Sequence, residues 1–429
     1  MLKTIAVLLW AANVANAQWA DIKQIGRAGE PSMATDSRGN VFVGAHLPGS
    51  LFVSRDWGKT FEHQAIDGYC DFVTHAMPDG RFYLVYMVHG IDGISVKRST
   101  DAGKTLQGGK VLSGPLDRQW IAVHPKTGHI FMVYSHGYIG GPASKGIFCA
   151  VSQDGGATFR EVARADDAPS GEEAVDPLIV TSTTGRLYAM WGLSKDRDTI
   201  YAYRMAYSDD GIRWKGHQTV ATSSPQFGTT QERWMLGCMV AQGPKRLIVF
   251  YSDKAELSID GAPHRAHLVY YRVSDDGGVT FGPPRTLLPQ SELEKVVRQY
   301  ADKAPGRGVN LYAQALVWAT LDPYGGLHAF FHDNREGRAP LQNTVVNKWH
   351  LRHSMSLNPN RGFMLSQRVS HDQVCLRPAL DFITCAADSR YLYAAWVETP
   401  NSMNAMPFTG NLMVGRLPLP SLMRLMFGL

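Results

Sequence analysis

Short apolar runs recur along the chain in pairs. Each pair has the same layout: an apolar run, a polar turn, then a second run whose alternation predicts a strand with one buried face. The runs are residues 31–36 and 41–46, 72–77 and 82–89, 120–124 and 130–136, and 177–181 and 187–191. They continue as 234–241 and 247–253, 311–321 and 327–332, and 377–386 and 391–396. Turns such as Ser37-Arg38-Gly39-Asn40 and Pro78-Asp79-Gly80 separate the members of a pair. Seven units at regular spacing are the mark of a repeated architecture. Residues 19–25, ahead of the first unit, are placed to add a strand to the last unit and close a ring. One helix is expected over residues 291–303, with Ser291 as its N-cap.

A second repeat follows the strand pairs. Ser54-Arg-Asp56-Trp-Gly58-Lys-Thr60-Phe61 returns as Ser99-Thr-Asp101-Ala-Gly103-Lys-Thr105-Leu106. It returns again as Ser152-Gln-Asp154-Gly-Gly156-Ala-Thr158-Phe159 and Ser274-Asp-Asp276-Gly-Gly278-Val-Thr280-Phe281, with a shortened copy at Ser208-Asp-Asp210-Gly211-Ile-Arg-Trp214. The Asp should cap its own backbone, the Gly should take a positive φ, and the large apolar residue should pack beneath. These turns resemble the Asp box of the sialidase-like propeller superfamily. The resemblance implies an all-β, seven-bladed β-propeller in which the box joins the third and fourth strands of a blade and does no chemistry. A six-bladed ring would require one unit to be an insertion.

The N-terminus bears on location. Lys3, the apolar run 5–14 and the small residues Ala15-Asn16-Ala17 have the layout of a secretory signal peptide. The expected organisation is therefore a signal peptide over 1–17 and one propeller domain over 18–429, exported to the outside or the periplasm. The signal run is too short to span a bilayer, and no later stretch is suited to it. A net charge of +5 is compatible with an anionic substrate, and no basic tract points to nucleic acid. Cys70, Cys149, Cys238, Cys375 and Cys385 are widely spaced without a CxxC pair. That excludes a zinc ribbon and leaves pairing open.

Topology sorts the polar residues. An inner strand runs from one face of the ring to the other and the second strand returns. The start of the first and the end of the second therefore share a face, opposite the Asp-box turns. Strand-two ends place His46, His89, His136, Asp253 and His332 on that face, with Asp333-Asn334-Arg335 beside the last. Strand-one starts add Glu30, Asp71, Arg118, Asp176, Glu232, Arg233, Tyr312 and Arg377, and His75 lies further along the second inner strand. Histidine titrates near neutral pH and suits acid–base work. His89, His136, His75 and Tyr312 are the catalytic candidates. His46, Arg118, Arg233, His332, Asn334, Arg335 and Arg377 are the substrate-binding candidates. The bland alternative is that Arg118 and Arg377 clamp neighbouring blades through carboxylates such as Asp71 and Asp176.

The whole plan also resembles the secreted rhamnosyl-glucuronate lyases and the propeller ulvan lyases. That resemblance implies β-elimination beside glucuronate, with release of terminal rhamnose from α-1,4-linked glucuronate. Arg118 and Arg335 would hold the uronate carboxylate, and His89 or His136 would move the proton. An exo-sialidase is the second reading and would conscript Arg27, Arg233, Arg377, Tyr312, Glu232 and Asp71. Its Arg-Ile-Pro signature is replaced by Arg27-Ala-Gly-Glu30-Pro31. A non-catalytic glycan-binding propeller is the third. The expected partner is an acidic glycan, with the chain a monomer. No motif marks a cofactor, although Ca²⁺ could sit where carboxylates or carbonyls converge on the channel.

Overall fold

The computed structural model describes residues 19, 21–88, 92–137, 145–195, 200–222, 237–259, 261–303, 312–336, 338–341, 344–347, 349–371, 383–398 and 409–419. The chain is an all-β propeller. Its strands pair as four-stranded antiparallel meanders. The first blade joins residues 29–35 to Val41–His46, Ser50–Ser54 and Glu62–Ala65. The next three are Cys70–Ala76 to Gln107–Ser113, Leu116–Val123 to Arg160–Arg164, and Glu173–Thr181 to Lys215–Thr222. A fifth group begins at Cys238–Gln242 and a sixth at Tyr312–Leu321. The last comprises Thr384–Ala387, Tyr391–Glu398 and Gly410–Pro418, and residues 21–28 complete it. Counted this way, the described residues contain seven such groups.

Strand Asp21–Thr35 therefore serves two blades. Its first half pairs with Gly410–Pro418 and its second half with Val41–His46, as the expected ring closure requires. The core lies between blades rather than inside any one. One apolar cluster joins Phe42, Leu51 and Val53 of the first blade to Phe72, Phe82 and Leu84 of the second. Equivalent clusters join the second to the third, the third to the fourth, and so on to Val41 and Val43 against Tyr393 and Val414. This corrects one expectation. The second strands are not half-buried: Val41–His46, Phe82–Met87 and Leu187–Ser194 are buried on both faces, because each is sandwiched between neighbouring blades.

The recurrent turns close as their residues require. In the first, Asp56 accepts hydrogen bonds from the backbone of Lys59 and Thr60 and from the Thr60 hydroxyl, and Gly58 sits at φ 75°. Those bonds hold the Asp56 carboxyl down at about 2. The helix forms over Gln290–Lys303. Its Leu293, Val296 and Val297 pack with Ile259 and Ala266 of a long hairpin, Arg246–Ile259 and Ala262–Ser274. The strand expected to end at Asp253 thus runs on to Ile259. That extension rises roughly 20 Å above the blade edge at the usual strand rise. Among the described residues, no helix is long and apolar enough to cross a membrane. Cys70, Cys149, Cys238 and Cys385 are free thiols, and Cys375 lies outside the described residues.

Candidate active site

Five of the described inner strands share one irregularity. Their register with the second strand breaks after Gly29, Cys70, Val175 and Ala315, and opposite residues 117–120 of the third blade. At each break one non-glycine residue adopts a left-handed backbone: Glu30 at φ 44°, Asp71 at 52°, Arg118 at 56°, Asp176 at 52° and Leu316 at 47°. Such a conformation costs on the order of 1–3 kcal/mol per residue. A bulge with this kink turns its side chain inward toward the axis and ends regular pairing. Four of the five kinked residues are charged, and all four are buried.

These charges converge on the face where the inner strands begin. Arg118 Nε lies 3.3 Å from Asp176 Oδ1 and 4.0 Å from Asp71 Oδ2, so one guanidinium ties three successive blades. His46 Nδ1 stands 3.0 Å from Glu30 Oε2, off the line of a hydrogen bond, and neither ring nitrogen has a hydrogen-bond partner. Burial lowers His46 to about 4, with Asp71 opposing and Arg118 assisting. The imidazole is therefore neutral near pH 7. Burial and the neighbouring charges of Asp71 and Asp176 push the Asp117 carboxyl well above the ordinary carboxylate range, against the pull of Arg118. The Asp117 carboxyl is hydrogen-bonded to Asp71, an arrangement that favours its acid form. Gln119 donates to the Asp71 carbonyl and is itself fully buried. Two carboxyls in contact, one held as the acid by the charge of the other, are the usual ingredients of acid–base catalysis.

No protein-family model and no curated protein matches the chain. Similarity to solved structures is distant. An α-L-arabinanase of Penicillium chrysogenum complexed with arabinobiose is 13% identical, over 81% of this chain and 92% of that one, with a TM-score of 0.47. A polysaccharide lyase described as an ulvan lyase is 12% identical, over 72% and 76%, again at 0.47. A structure of YCF48 bound to D1 peptide is 10% identical, over 92% and 94%, also at 0.47.

The residues singled out in the sequence fall into four places. His46 and Arg118 meet at the charged mouth. His75 lies deeper, roughly 13 Å along its strand from Asp71 at the ordinary rise, in a cavity of the channel interior. His136 points to the outer part of its blade, where its Nε2 lies 2.8 Å from Glu161 and its ring against Phe148. Tyr312, His332, Asn334 and Arg335 belong to the sixth blade, in a buried network of their own. There Tyr312 donates to Asp333 at 3.0 Å, and Arg335 reaches Asp333 at 2.6 Å, Glu292 at 2.7 Å and Ser366 at 2.9 Å. Asn334 accepts from the Ala313 amide. Burial and the Asp333 charge push the Tyr312 phenol far up. Burial lowers His332 to about 3. His89, Arg233 and Arg377 lie outside the described residues, as does Glu232.

Arg118 and Arg335 were expected to grip one carboxylate together. They instead occupy separate clusters, each already engaged with protein carboxylates. Sequence reading passed over Asp117 and Gln119, which precede and follow Arg118. Glu30, Asp71, Arg118 and Asp176, which topology places together at the strand starts, share one position just inside each inner strand. Among the described residues, no group of three or more His, Cys, Asp or Glu side chains is disposed to hold a metal ion.

Proposed function

We propose that this chain is a glycan-cleaving enzyme that works at the charged mouth, with Asp117 as its proton donor. The observation that carries the reading is the set of left-handed, charged bulges converging from successive inner strands around a protonated carboxyl. Strain of this kind is retained where function needs a side chain aimed against the backbone's preference. Asp117 protonates the departing glycosidic oxygen. Asp71 holds the carboxyl in place and takes part in returning its proton. His46, neutral and beside Glu30, orients an incoming water, whose oxygen adds to the anomeric carbon while its proton passes to the Asp71 carboxylate and on to Asp117.

Among the described residues of the cluster, carboxylates outnumber cations. That balance favours a transition state with developing positive charge on the sugar, as in hydrolysis. It disfavours an acidic sugar seated directly on it. A uronate-directed elimination needs a cation with charge to spare. Arg118 and Arg335 are each matched by carboxylates. The reading is therefore hydrolysis of a neutral glycosidic bond. Export, expected from the N-terminal run, would bring such an enzyme to glycans outside the cell.

The test is turnover of arabinan, arabinogalactan and ulvan by the purified chain, followed by reducing ends and by ultraviolet absorbance. New reducing ends without absorbance, lost in Asp117→Asn, support hydrolysis at this mouth. Absorbance from an unsaturated uronate would mean β-elimination beside glucuronate and would overturn the hydrolytic assignment.

A further inference from the structure

Below the charged mouth the channel is crossed by two indoles. Trp120, two residues after Arg118, stacks on Trp318, two residues after Leu316, with ring centroids 4.8 Å apart and planes 28° from parallel. They come from the third and sixth blades, on opposite sides of the axis. The pair forms a floor to the mouth. A second cavity of 280 Å³ lies along the later part of the inner strands, lined by both indoles, His75, Thr74, Thr181 and Thr384 among others. It belongs to the half of the channel nearer the Asp-box turns.

Among the described residues, no Asp, Glu, Lys or Arg lines this cavity. Burial lowers the imidazole of His75 to about 4, so near pH 7 it is neutral and offers one donor and one acceptor. Thr384 accepts from the Met33 amide and keeps its own hydroxyl proton to donate. Thr181 donates weakly at 3.3 Å to Ser182. Flat apolar faces, uncharged hydroxyls and one neutral imidazole, in a volume that holds roughly nine waters, match a single ring bearing hydroxyls on one side and C–H groups on the other. A charged ligand would lose its hydration with nothing to offset the loss.

We propose that this cavity is a second binding site, separate from the mouth, for one neutral sugar ring. The site acts without covalent chemistry, and its occupant packs C–H groups against Trp120 or Trp318 while its hydroxyls exchange hydrogen bonds with His75, Thr181 and Thr384.

The test uses the intact chain, titrated with galactose, arabinose and rhamnose, with sodium glucuronate as the charged control. Tryptophan fluorescence and saturation-transfer NMR report binding. Saturable binding of at least one neutral sugar is expected, at least tenfold tighter than glucuronate. It should hold steady between about pH 5.5 and pH 8.5, where His75 does not titrate. His75→Gln and Thr181→Val, two variants that keep the strand and its packing, should each weaken it at least tenfold. Asp117→Asn, which alters only the mouth, should leave it unchanged. Absence of saturable binding, or equal binding of glucuronate, would overturn the proposal. So would binding lost in Asp117→Asn and kept in both cavity variants, which would put the sugar at the mouth and leave the hydrolytic reading standing.

Discussion

Replacing Arg118 by Met isolates what the mouth cluster contributes to the fold. The side chain keeps most of its volume and loses its charge. At the effective dielectric suited to such sites, a charge pair at 3.3 Å is worth about 5 kcal/mol and one at 4.0 Å about 4 kcal/mol before desolvation is counted. Dehydration of the guanidinium offsets much of this, and removing one partner of a buried pair typically costs about 3–5 kcal/mol. Two partners and burial below one-tenth exposure put Arg118 at the upper end of that range. The sign of the pH dependence follows. Without the cation, the already raised folded-state pKa of Asp117 rises further, because the pull of Arg118 is gone. Folded protein then holds more protons than unfolded, and stability falls as pH rises through that value. The loss should therefore be large at about pH 8 and smaller at about pH 5. Urea unfolding followed by far-ultraviolet circular dichroism measures it. A second variant, Arg118→Met with Asp176→Asn, should recover part of the loss, since one uncompensated carboxylate is gone. A loss under about 1 kcal/mol, independent of pH, would mean a hydrated surface pair and would refute the picture of a desolvated mouth.

Four further outcomes are expected. Asp117→Asn should abolish turnover while raising stability at neutral pH. The elevated carboxyl contributes stability below its unfolded pKa that is lost as pH rises through the folded one, and paired melts of variant and parent check this. Burial lowers His46, His75, His267 and His350 to about 4 and His332 to about 3. Their contribution is full above the unfolded value near 6.5 and is lost on acidification toward pH 4. The parent should therefore weaken steeply over that window, and His332→Leu should flatten the slope. Arg335→Met should destabilise by about 3–5 kcal/mol yet retain turnover per folded molecule, because its guanidinium is taken up by Asp333, Glu292 and Ser366. Asp154→Ala, which strips four hydrogen bonds from one Asp-box turn, should lower the melting midpoint by a few degrees with kcat unchanged.

The strand plan was legible because propeller blades leave two local signatures, paired apolar runs and a turn with fixed chemistry. Val41–His46 and Ile130–His136 begin and end where the pattern places them. The hairpin reaching Ile259 was not legible: beyond Asp253 its strands run Lys-Ala-Glu-Leu and His-Arg-Ala-His, a polar mixture sheltered by the helix and by the Tyr312–Leu321 strand packed against it. The site was half legible. Arg118 and His46 were found from topology, since charged residues at strand starts must share a face. Asp117 escaped because its role depends on the charge of Asp71 and Asp176, from two other blades. Arg335 misled for a related reason. A polar cluster at a strand end looks the same in sequence whether it faces a ligand or closes on a helix, and only Glu292, 43 residues away along the chain, decides between them.

The strand shared by two blades dictates when the molecule can be finished. Asp21 pairs with Arg416 and Ala28 with Gly410, so the first described strand waits for the last described one, about 390 residues later in synthesis. Bringing ends this distant together carries an entropic charge of roughly 5 kcal/mol on loop length alone, met only once intervening blades have stacked and shortened the gap. Until then residues 21–28 present an open edge able to pair with a strand of another chain. Synthesis thus leaves a window in which the nascent ring is sticky at one known place, and the shortest C-terminal truncation that removes Gly410–Pro418 would make that window permanent. Chains cut there should keep residues 21–28 as an open edge and self-associate through it.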